Sequence, residues 1–365
     1  MNDREALVLI NSVDGIGSVR LKKLLEAFGE PSRIFGVDVG QLTATGALTP
    51  LMARRLLDAP RRFEVGAEME KAQKLNIRIT TILDGDYPAI LKEIYDPPFV
   101  LYIKGELMPC DRNAVAVVGS RGASYYGLSC AKEFSYKLAL AGVTIVSGMA
   151  RGIDTAGHRA ALDAGGRTLA VLGSGLKKVY PPENKGLFQQ IAEKGAVISQ
   201  FPLDTPPLPQ YFPIRNRVIS GLSCGVLVVE ASNKSGALIT ARYALDQGRE
   251  IFAVPGKVSS ATSLGTNDLI KQGAKMVTEP AEILDELRCR FSLESLSSPA
   301  SLKEESTGLS SEEQKIVKNL GDEPISVDDL AAQTGLNVSD LLSILVKLEL
   351  RKVIKQLPGK TFVKS

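Results

Sequence analysis

The stretch AVAVVGSRG, residues 114–122, decides the fold, because an unbroken apolar run leads directly into a glycine-rich turn. The same pattern returns through the middle of the chain, where short apolar runs alternate with helical segments. The further runs are 143–147, 167–172, 196–199, 225–230 and 250–254. Strands of this kind that alternate with helices indicate a parallel sheet covered on both faces. The sequence therefore predicts an α/β protein with an extended Rossmann-like core domain over residues 66–290, which binds its ligand at the carboxyl ends of the strands.

Turns rich in glycine, serine and basic residues follow four of these predicted strands. Glycines let backbone N–H groups approach a phosphate closely, and the start of each following helix carries partial positive charge. Basic side chains add charge-assisted hydrogen bonds to such a ligand. The candidates for a DNA-binding groove are Gly119, Ser120 and Arg121 after the first strand, Ser147, Gly148 and Arg151 after the second, Lys177 after the third, and Lys234, Ser235 and Gly236 after the fifth.

A further candidate segment, YFPIRNR at residues 211–217, places two arginines and an amide at the start of a helix. Arg215 and Arg217 are two positions apart and therefore diverge on a helix. One of them is expected to reach a phosphate while the other ties the loop to the domain, and Asn216 lies between them. Phe212 either stacks on a base or plugs the core of the domain, and the sequence leaves both interpretations open.

Positive charge is concentrated in this middle region of the chain. Residues 113–280 hold 18 basic and 11 acidic side chains, although the whole chain has a net charge of only +3. A polyanion would be attracted by such a domain. The same surplus also fits ordinary solubility charge, so it favours a nucleic-acid partner only in combination with the strand-end turns.

Composition and length exclude several classes of protein. A chain of 365 residues suits two or three domains. Its four cysteines are far apart and form no CxxC pair, and it has a single histidine, so we expect reduced thiols, no metal site and no cofactor. The N-terminus MNDREALVLI is charged and no apolar run reaches 18 residues, which predicts a cytoplasmic protein without a membrane segment.

The regions on either side of the core domain have their own character. Residues 1–65 are typical of a small helical domain, and the turn at residues 15–17, Gly-Ile-Gly, resembles a helix-hairpin-helix. Residues 77–112 are β-rich and are expected to add strands to the sheet. Residues 291–308 are rich in Ser and Glu, as a linker is. Residues 309–365 predict three helices, with starts near 310, 326 and 338, and a hairpin that turns at Pro358-Gly359, which together indicate a winged-helix domain.

Nothing in the sequence favours catalysis. No GxxxxGK[ST] string is present, and the turn GSRGASYYG at residues 119–127 lacks the GxGxxG pattern of dinucleotide enzymes. His158 follows Asp154 by four residues on a predicted helix, where such a pair more often supports the helix than forms an acid–base dyad. Glu230 ends the fifth strand without an evident acidic partner. We therefore expect a protein that is not an enzyme and has no catalytic residues.

Seven strings in the core domain resemble the DNA-processing protein A family, also called DprA or Smf. They occur in the order that the family has and cover nearly the whole domain. The strings are YPAILKEIYDPPFVLYIKGEL (87–107), VAVVGSRGASYYG (115–127), SGMARGIDTAGHRAAL (147–162), VLGSGLKKVYPPEN (171–184), FPIRNRVISGLS (212–223), SGALITARYALDQGREIFAVPG (235–256) and GTNDLIKQGA (265–274).

This resemblance implies a function and partners. It implies a homodimer that binds single-stranded DNA through the Rossmann-like domain, protects incoming strands and loads the RecA recombinase during natural transformation, without turnover. Of the groove candidates named above, the resemblance also implies Ser120, Arg121, Ser147, Arg151, Arg215 to Arg217, and Lys234 to Gly236. Lys177 departs from the family pattern, since many relatives carry an acidic residue there, and it would strengthen phosphate binding or merely cap a helix.

Two other functions remain open at this stage. Glycine-rich strand ends also occur in phosphoribohydrolase-type nucleotide enzymes, although their PGGxGTxxE string is missing here. A duplex-reading regulator would use the winged-helix domain, but its third helix, NVSDLLSILVKLE, offers one lysine and no arginine. The basic side chains of that domain lie mainly in the wing, which favours a partner-docking or auxiliary role.

Overall fold

The computed structural model describes residues 1–288, 311–321 and 324–338, and farther on it describes 341–342, 344–345, 348, 353–357 and 361–364. The predicted linker over residues 291–308 lies outside the described residues. In the described part of the chain, no helix is both long enough and apolar enough to cross a bilayer.

Five α-helices and a 3-10 turn form the N-terminal region. The helices are α1 (Asp3–Asn11), α2 (Ser18–Phe28), α3 (Val39–Ala44), α4 (Pro50–Arg62) and α5 (Val65–Lys74). α1 begins with a capping box, in which the Asn2 side chain accepts from Glu5 N and the Glu5 carboxylate accepts from Asn2 N. α2 begins directly after Gly17 of the predicted glycine turn.

The N-terminal helices and the sheet share one hydrophobic core. Leu7, Leu24 and Leu56 belong to the same buried cluster as Tyr102 and Val197 of the sheet. Residues 1–123 also lie within one compact unit together with the later strands. The predicted boundary between residues 65 and 66 therefore coincides with no gap in the packing, and it stays a prediction.

A nine-stranded sheet forms the centre of the larger compact unit. Its strands are β1 (Ile77–Thr81), β2 (Val100–Gly105), β3 (Ala114–Val118), β4 (Thr144–Ser147), β5 (Thr168–Leu172), β6 (Ala196–Ser199), β7 (Gly225–Val228), β8 (Glu250–Ala253) and β9 (Lys275–Met276). Their spatial order is β1-β2-β6-β5-β4-β3-β7-β8-β9. All six predicted strands are present, and residues 77–112 add β1 and β2 as expected. These two strands pair antiparallel, and β2 also pairs antiparallel with β6, whereas all pairs among β3 to β9 are parallel.

Helices alternate with the strands. They are α6 (Ala89–Lys92), α7 (Tyr125–Leu140), α8 (Ile153–Asp163), α9 (Lys185–Lys194), α10 (Tyr211–Gly221), α11 (Ala237–Asp246), α12 (Leu264–Lys271) and α13 (Pro280–Leu287). Every residue of β3 and β5 is buried, because helices cover both faces of the sheet. Because both faces of these strands are buried, their sequences are continuous apolar runs.

The direction of winding reverses once in the sheet. From β3 the chain proceeds to β4, β5 and β6 on one side, and it then returns to place β7 on the other side of β3. The carboxyl ends of β3 and β7 therefore flank a topological switch point, where open α/β sheets bind their ligands.

The C-terminal unit contains the predicted helices and strands. The helices are α14 (Ser311–Asn319) and α15 (Val327–Thr334). In a small sheet, β10 (Ile325–Ser326), which lies between these helices, and β11 (Ile354–Leu357) both pair antiparallel with β12 (Thr361–Lys364). Ser326 caps α15, since its Oγ accepts from Asp329 N at 3.1 Å. The predicted third helix is described only in part, with Leu341, Leu345 and Leu348 buried in the core. The predicted turn at Pro358-Gly359 lies outside the described residues.

Candidate functional site

A groove lies at the switch point of the sheet. Its volume is about 650 Å³, and its lining comes from the turns after β3 and β7 and from the start of α10. A second pocket of about 30 Å³ adjoins it and shares Arg121, Phe212 and Arg215 with it. The strand ends thus meet at one place, as the pattern of glycine-rich turns predicts.

Ten of the fourteen residues predicted to bind DNA line these two pockets. Those in the groove are Gly119, Ser120, Arg121, Phe212, Arg215, Asn216, Ser235 and Gly236. The second pocket adds Gly148 and Arg151. Ser147, Lys177, Arg217 and Lys234 line neither of the two.

Close backbone approaches hold the strand-end turns together. Ser120 follows β3 and Glu230 follows β7, and Ser120 N donates to Glu230 O at 2.7 Å. A side chain at Gly119 would meet Ile153 Cγ1 at 2.6 Å. Gly152 has a φ of +74°, and a Cβ there would overlap Ser120 O and lie 2.8 Å from Arg121 O. Glycine is therefore required at both positions for the turns to lie this close.

Replacing Gly152 with alanine is expected to lower the free energy of unfolding by at least about 2 kcal/mol, because the positive φ is strained and the new methyl overlaps the backbone. Denaturant unfolding measures the loss. Gly165→Ala is the matched control, since Gly165 has a similar φ of +69° but nothing within 4 Å of its Cβ position. Equal losses in the two variants would mean that the turns are not in close contact.

Phe212 is surrounded by two guanidinium groups and a second aromatic ring. Arg121 lies 5.2 Å and Arg215 5.9 Å from the centroid of the Phe212 ring. The Tyr180 ring lies 5.8 Å away. A cation over an aromatic face is attracted by the ring quadrupole. Phe212 therefore holds Arg121 at the mouth of the groove, where Arg121 as a residue stays exposed.

Arg215 is a buried part of the groove floor. Its Nη1 donates to Gly148 O at 2.7 Å and also to Val171 O, so it joins the ends of β4 and β5. Burial lowers the pKa of Arg215 to about 10, although the charge of Asp154 opposes the shift. The side chain therefore stays cationic at neutral pH and supplies positive charge beneath the groove.

Asp154 and His158 do not form a dyad. The Asp154 Oδ2 accepts from Gly148 N at 3.1 Å and from Ala150 N at 3.2 Å, while burial raises the pKa of the carboxyl. His158 Nδ1 lies 2.6 Å from Thr168 Oγ1, and burial lowers the pKa of His158 to about 3. Both side chains are engaged with other partners in the interior, so neither pairs with the other.

Two of the predicted DNA contacts instead have structural partners. Ser147 is fully buried, and its Oγ donates to Val117 O at 2.6 Å. Arg217 is buried and donates to Asp96 O and to Gln200 Oε1, the latter at 2.9 Å. Their side chains point into the fold because they lie on an interior strand and on the inner face of α10. These partners give no support to a DNA contact by either side chain, and such a contact stays a prediction.

Lys177 and Lys234 are exposed but lie away from the groove lining. Lys177 Nζ forms an ion pair with Asp204 Oδ1 at 2.6 Å. This contact joins the turn after β5 to the loop before α10 and lowers the pKa of Asp204. The structure favours neither the cap nor the phosphate contact considered for Lys177. For Lys234, a DNA contact stays a prediction.

Arg151 is exposed and forms an ion pair with Glu183. The contact raises the pKa of Arg151 and lowers that of Glu183. More than half of the Arg151 side chain is accessible to solvent, so a phosphate can compete with the carboxylate for it. Arg121, in contrast, has no carboxylate partner in the part of the chain that the structure describes.

A loop over residues 200–210, here called the proline loop, contributes the remaining edge of the groove. Its prolines are Pro202, Pro206, Pro207 and Pro209. Leu203 N donates to Glu68 Oε1 at 2.8 Å, and Gly175 N donates to Thr205 O at 2.9 Å. The loop is therefore fixed by the pyrrolidine rings of its prolines, which restrict the backbone, and by hydrogen bonds to Glu68 and Gly175.

Some groove residues are absent from the sequence-based prediction. Pro207, Pro209, Pro213, Ile239 and Thr240 are among them. The signal for Ile239 and Thr240 is their spacing, since they lie three and four positions after Gly236 and so face the same side one helical turn later. Within residues 1–288 and the described C-terminal segments, no group of three His, Cys, Asp or Glu side chains is arranged to hold a metal ion.

The doubly wound sheet, the groove at its switch point and the small C-terminal unit define a Rossmann-like α/β protein with an appended winged-helix domain. Comparison with known proteins gives the particular family. The model of the family described as DNA recombination-mediator protein A matches residues 78–288, and that of the DprA winged helix domain matches residues 299–360. The chain belongs to this family, known as DprA or Smf.

Named relatives and solved structures agree with this assignment. Protein Smf of Escherichia coli K12 is 42% identical over 331 residues, which is 88% of this chain and 86% of that protein. The structure of DNA processing protein A from Streptococcus pneumoniae superposes with a TM-score of 0.67 at 36% identity and covers 78% of this chain and 98% of that one. A structure from Helicobacter pylori, which concerns the single-stranded DNA binding mode of its DNA processing protein A, has a TM-score of 0.53 at 28% identity and covers 59% of this chain and 98% of that one.

Proposed function

We propose that the groove at the switch point binds single-stranded DNA. The observation that carries the proposal is the convergence of the exposed Arg121 and Arg151 with the glycine turns around one groove, above the buried cation of Arg215. Main-chain groups, helix starts and guanidinium groups are the partners that a chain of phosphates requires. The single-stranded DNA binding mode of the Helicobacter pylori relative supports the choice of ligand.

A comparison of strands tests this proposal. The full chain is titrated with fluorescent (dT)30 and with a 30-base-pair duplex at several salt concentrations. We expect tighter binding of the single strand, and a logarithm of the affinity that falls with the logarithm of the salt concentration by about 0.7 for each neutralised phosphate. Affinity that does not change with salt, or a clear preference for the duplex, would overturn the proposal.

Glu183 is expected to oppose DNA binding, because in the free protein its carboxylate forms an ion pair with Arg151, for which a phosphate would have to compete. Glu183→Gln should therefore raise the affinity for (dT)30 about threefold at low salt, since an exposed ion pair is weak. Fluorescence anisotropy measures the change. Glu133→Gln is the matched control, because Glu133 forms an exposed ion pair with Lys137 outside the groove lining. An equal change in both variants would mean that only net charge matters.

The biological role follows from the resemblance to the family. We propose that the protein acts as a homodimer in the cytoplasm, protects incoming single strands and loads RecA on them during natural transformation. We also propose that it is not an enzyme, and the engagement of Asp154 and His158 in the interior supports this. The rate of RecA assembly on a single strand, measured with and without the protein, tests the loading role. An unchanged rate would contradict it.

A further inference from the structure

We propose that Glu68, on α5 of the N-terminal region, is a positioning residue of the groove. Its carboxylate holds the proline loop in the place where Pro207 and Pro209 of that loop line the groove. This inference rests on the proposed function. It assigns the N-terminal helices a part in DNA binding, although the groove lining itself comes from later elements of the chain.

The Glu68 carboxylate is buried between α5, the sheet and the proline loop. Glu68 is 5% exposed, and its Oε1 accepts from Leu203 N at 2.8 Å. Burial raises the pKa of Tyr102 on β2, and the charge of the neighbouring Glu68 adds to the shift. Lys71, one turn later on α5, lies 3.8 Å from the carboxylate of Asp204 in the loop. Two successive residues of the loop are therefore held by one face of α5.

The hydrogen bond to Leu203 has no replacement from solvent. A buried carboxylate is costly unless it is hydrogen-bonded, and an apolar side chain would fill the same place at lower cost. Leu203 is fully buried, so water cannot take the place of Glu68 as the acceptor of its N–H. The acceptor oxygen that Glu68 offers to the loop is therefore the feature that an apolar residue could not supply.

Two more contacts join the N-terminal region to the ends of the same loop. At its beginning, Asn11 Nδ2 donates to Gln200 O at 2.9 Å. Directly after it, the Tyr211 hydroxyl donates to Asp14 Oδ1 at 3.4 Å. Asp14 belongs to the predicted glycine turn between α1 and α2. The N-terminal helices thus hold the loop on both sides of the prolines that line the groove.

The prolines of the groove lining depend on these ends for their position. Leu208 N donates to Pro206 O and Tyr211 N donates to Leu208 O, both at 3.0 Å, so these bonds stay within the segment. Pro207 and Pro209 have no backbone N–H with which to bond to the sheet. If the bond from α5 is lost, both prolines gain freedom that a bound strand has to remove again, and the affinity falls.

The experiment replaces Glu68 by leucine, which has a similar size and no acceptor, and by glutamine, which keeps an acceptor oxygen. Fluorescence anisotropy with (dT)30 in dilute salt gives the affinity of the full chain, and circular dichroism shows that each variant is folded. We expect Glu68→Leu to bind about tenfold more weakly and Glu68→Gln to stay within about twofold of the parent. The slope of log affinity against log salt should not change, because no phosphate contact is removed.

Asp3→Leu is the matched control, because Asp3 Oδ1 also accepts from a backbone N–H, that of Ser32 at 2.9 Å, but within the N-terminal region. Its affinity should equal that of the parent. Unchanged binding by folded Glu68→Leu, an equal loss in Glu68→Gln, or the same loss in Asp3→Leu would overturn the positioning role and leave the proposed function intact. Failure of the parent protein to bind (dT)30 would overturn the proposed function itself.

Asn11→Ala gives the same test if Glu68→Leu does not fold. It removes the bond to Gln200 O from a half-buried side chain and should weaken (dT)30 about threefold, again with an unchanged salt slope. An affinity equal to that of the parent would overturn the inference. Hydrogen exchange of the Leu203 amide in the parent is the second measurement. We expect strong protection, and exchange as fast as in an unstructured segment would also overturn the inference.

Discussion

The double variant Arg121→Ala/Arg151→Ala is expected to bind (dT)30 about 100-fold more weakly than the parent protein in dilute salt. Both side chains are exposed beside the groove, so each is available for a charge-assisted hydrogen bond to a phosphate. Two such bonds together correspond to an effect of this size. The loss should be somewhat smaller than for two free cations, because Glu183 already competes for Arg151.

The salt dependence of binding separates this local effect from a loss of net charge. Removing two phosphate contacts should reduce the slope of log affinity against log salt by about 1.4. Arg112→Ala/Arg159→Ala is the control, since these arginines are also exposed but line neither pocket. If the two double variants lost the same affinity, the DNA would not lie in the groove.

The second large effect concerns stability. Arg215→Met is expected to lower the free energy of unfolding by about 3–5 kcal/mol, because it removes one partner from a set of buried charges. The carbonyl oxygens of Gly148 and Val171 would lose a donor, and Asp154 would lose the nearby positive charge that opposes its desolvation. Methionine is unbranched and close in length to the arginine stem, so overpacking would not cause the loss.

Urea unfolding followed by circular dichroism measures this change. Arg159→Met is the control, because Arg159 lies exposed on α8, and a surface substitution of this kind changes stability by about 0.5 kcal/mol or less. A loss below about 1 kcal/mol in Arg215→Met would show that the groove floor tolerates the absence of the cation.

The sequence predicted the sheet well because buried parallel strands have a direct signature. Each apolar run became a strand, although the run at 225–230 forms a strand only to Val228. Glu230, placed at the strand end from the sequence, lies just beyond it, where its carbonyl accepts from Ser120 N. Periodicity therefore gave the order and type of the elements, while their ends depended on contacts between turns.

The sequence predicted a site residue correctly only where the residue is a glycine in a close turn or where its place at a strand end brings it to the groove. The meeting of the strand ends at the switch point follows from the βαβ order, so Gly119 and Arg121 could be found. The direction in which a side chain points at a strand end could not be predicted, and the Ser147 side chain points into the core. Partners distant in sequence could not be predicted either. Lys177 forms an ion pair with Asp204, and Leu203 N donates a hydrogen bond to Glu68, 135 positions earlier.

The proline loop has a consequence for the thermodynamics of binding. If this edge of the groove were flexible, it would have to become ordered each time a DNA strand binds. Each side chain immobilised on association costs about 0.5–1.5 kcal/mol. In this protein the rings of the prolines and the bonds from Glu68 and Gly175 have already removed that freedom during folding. Calorimetry should therefore find that little of the entropy change on binding comes from ordering the protein, so that the strand itself loses most of the conformational freedom.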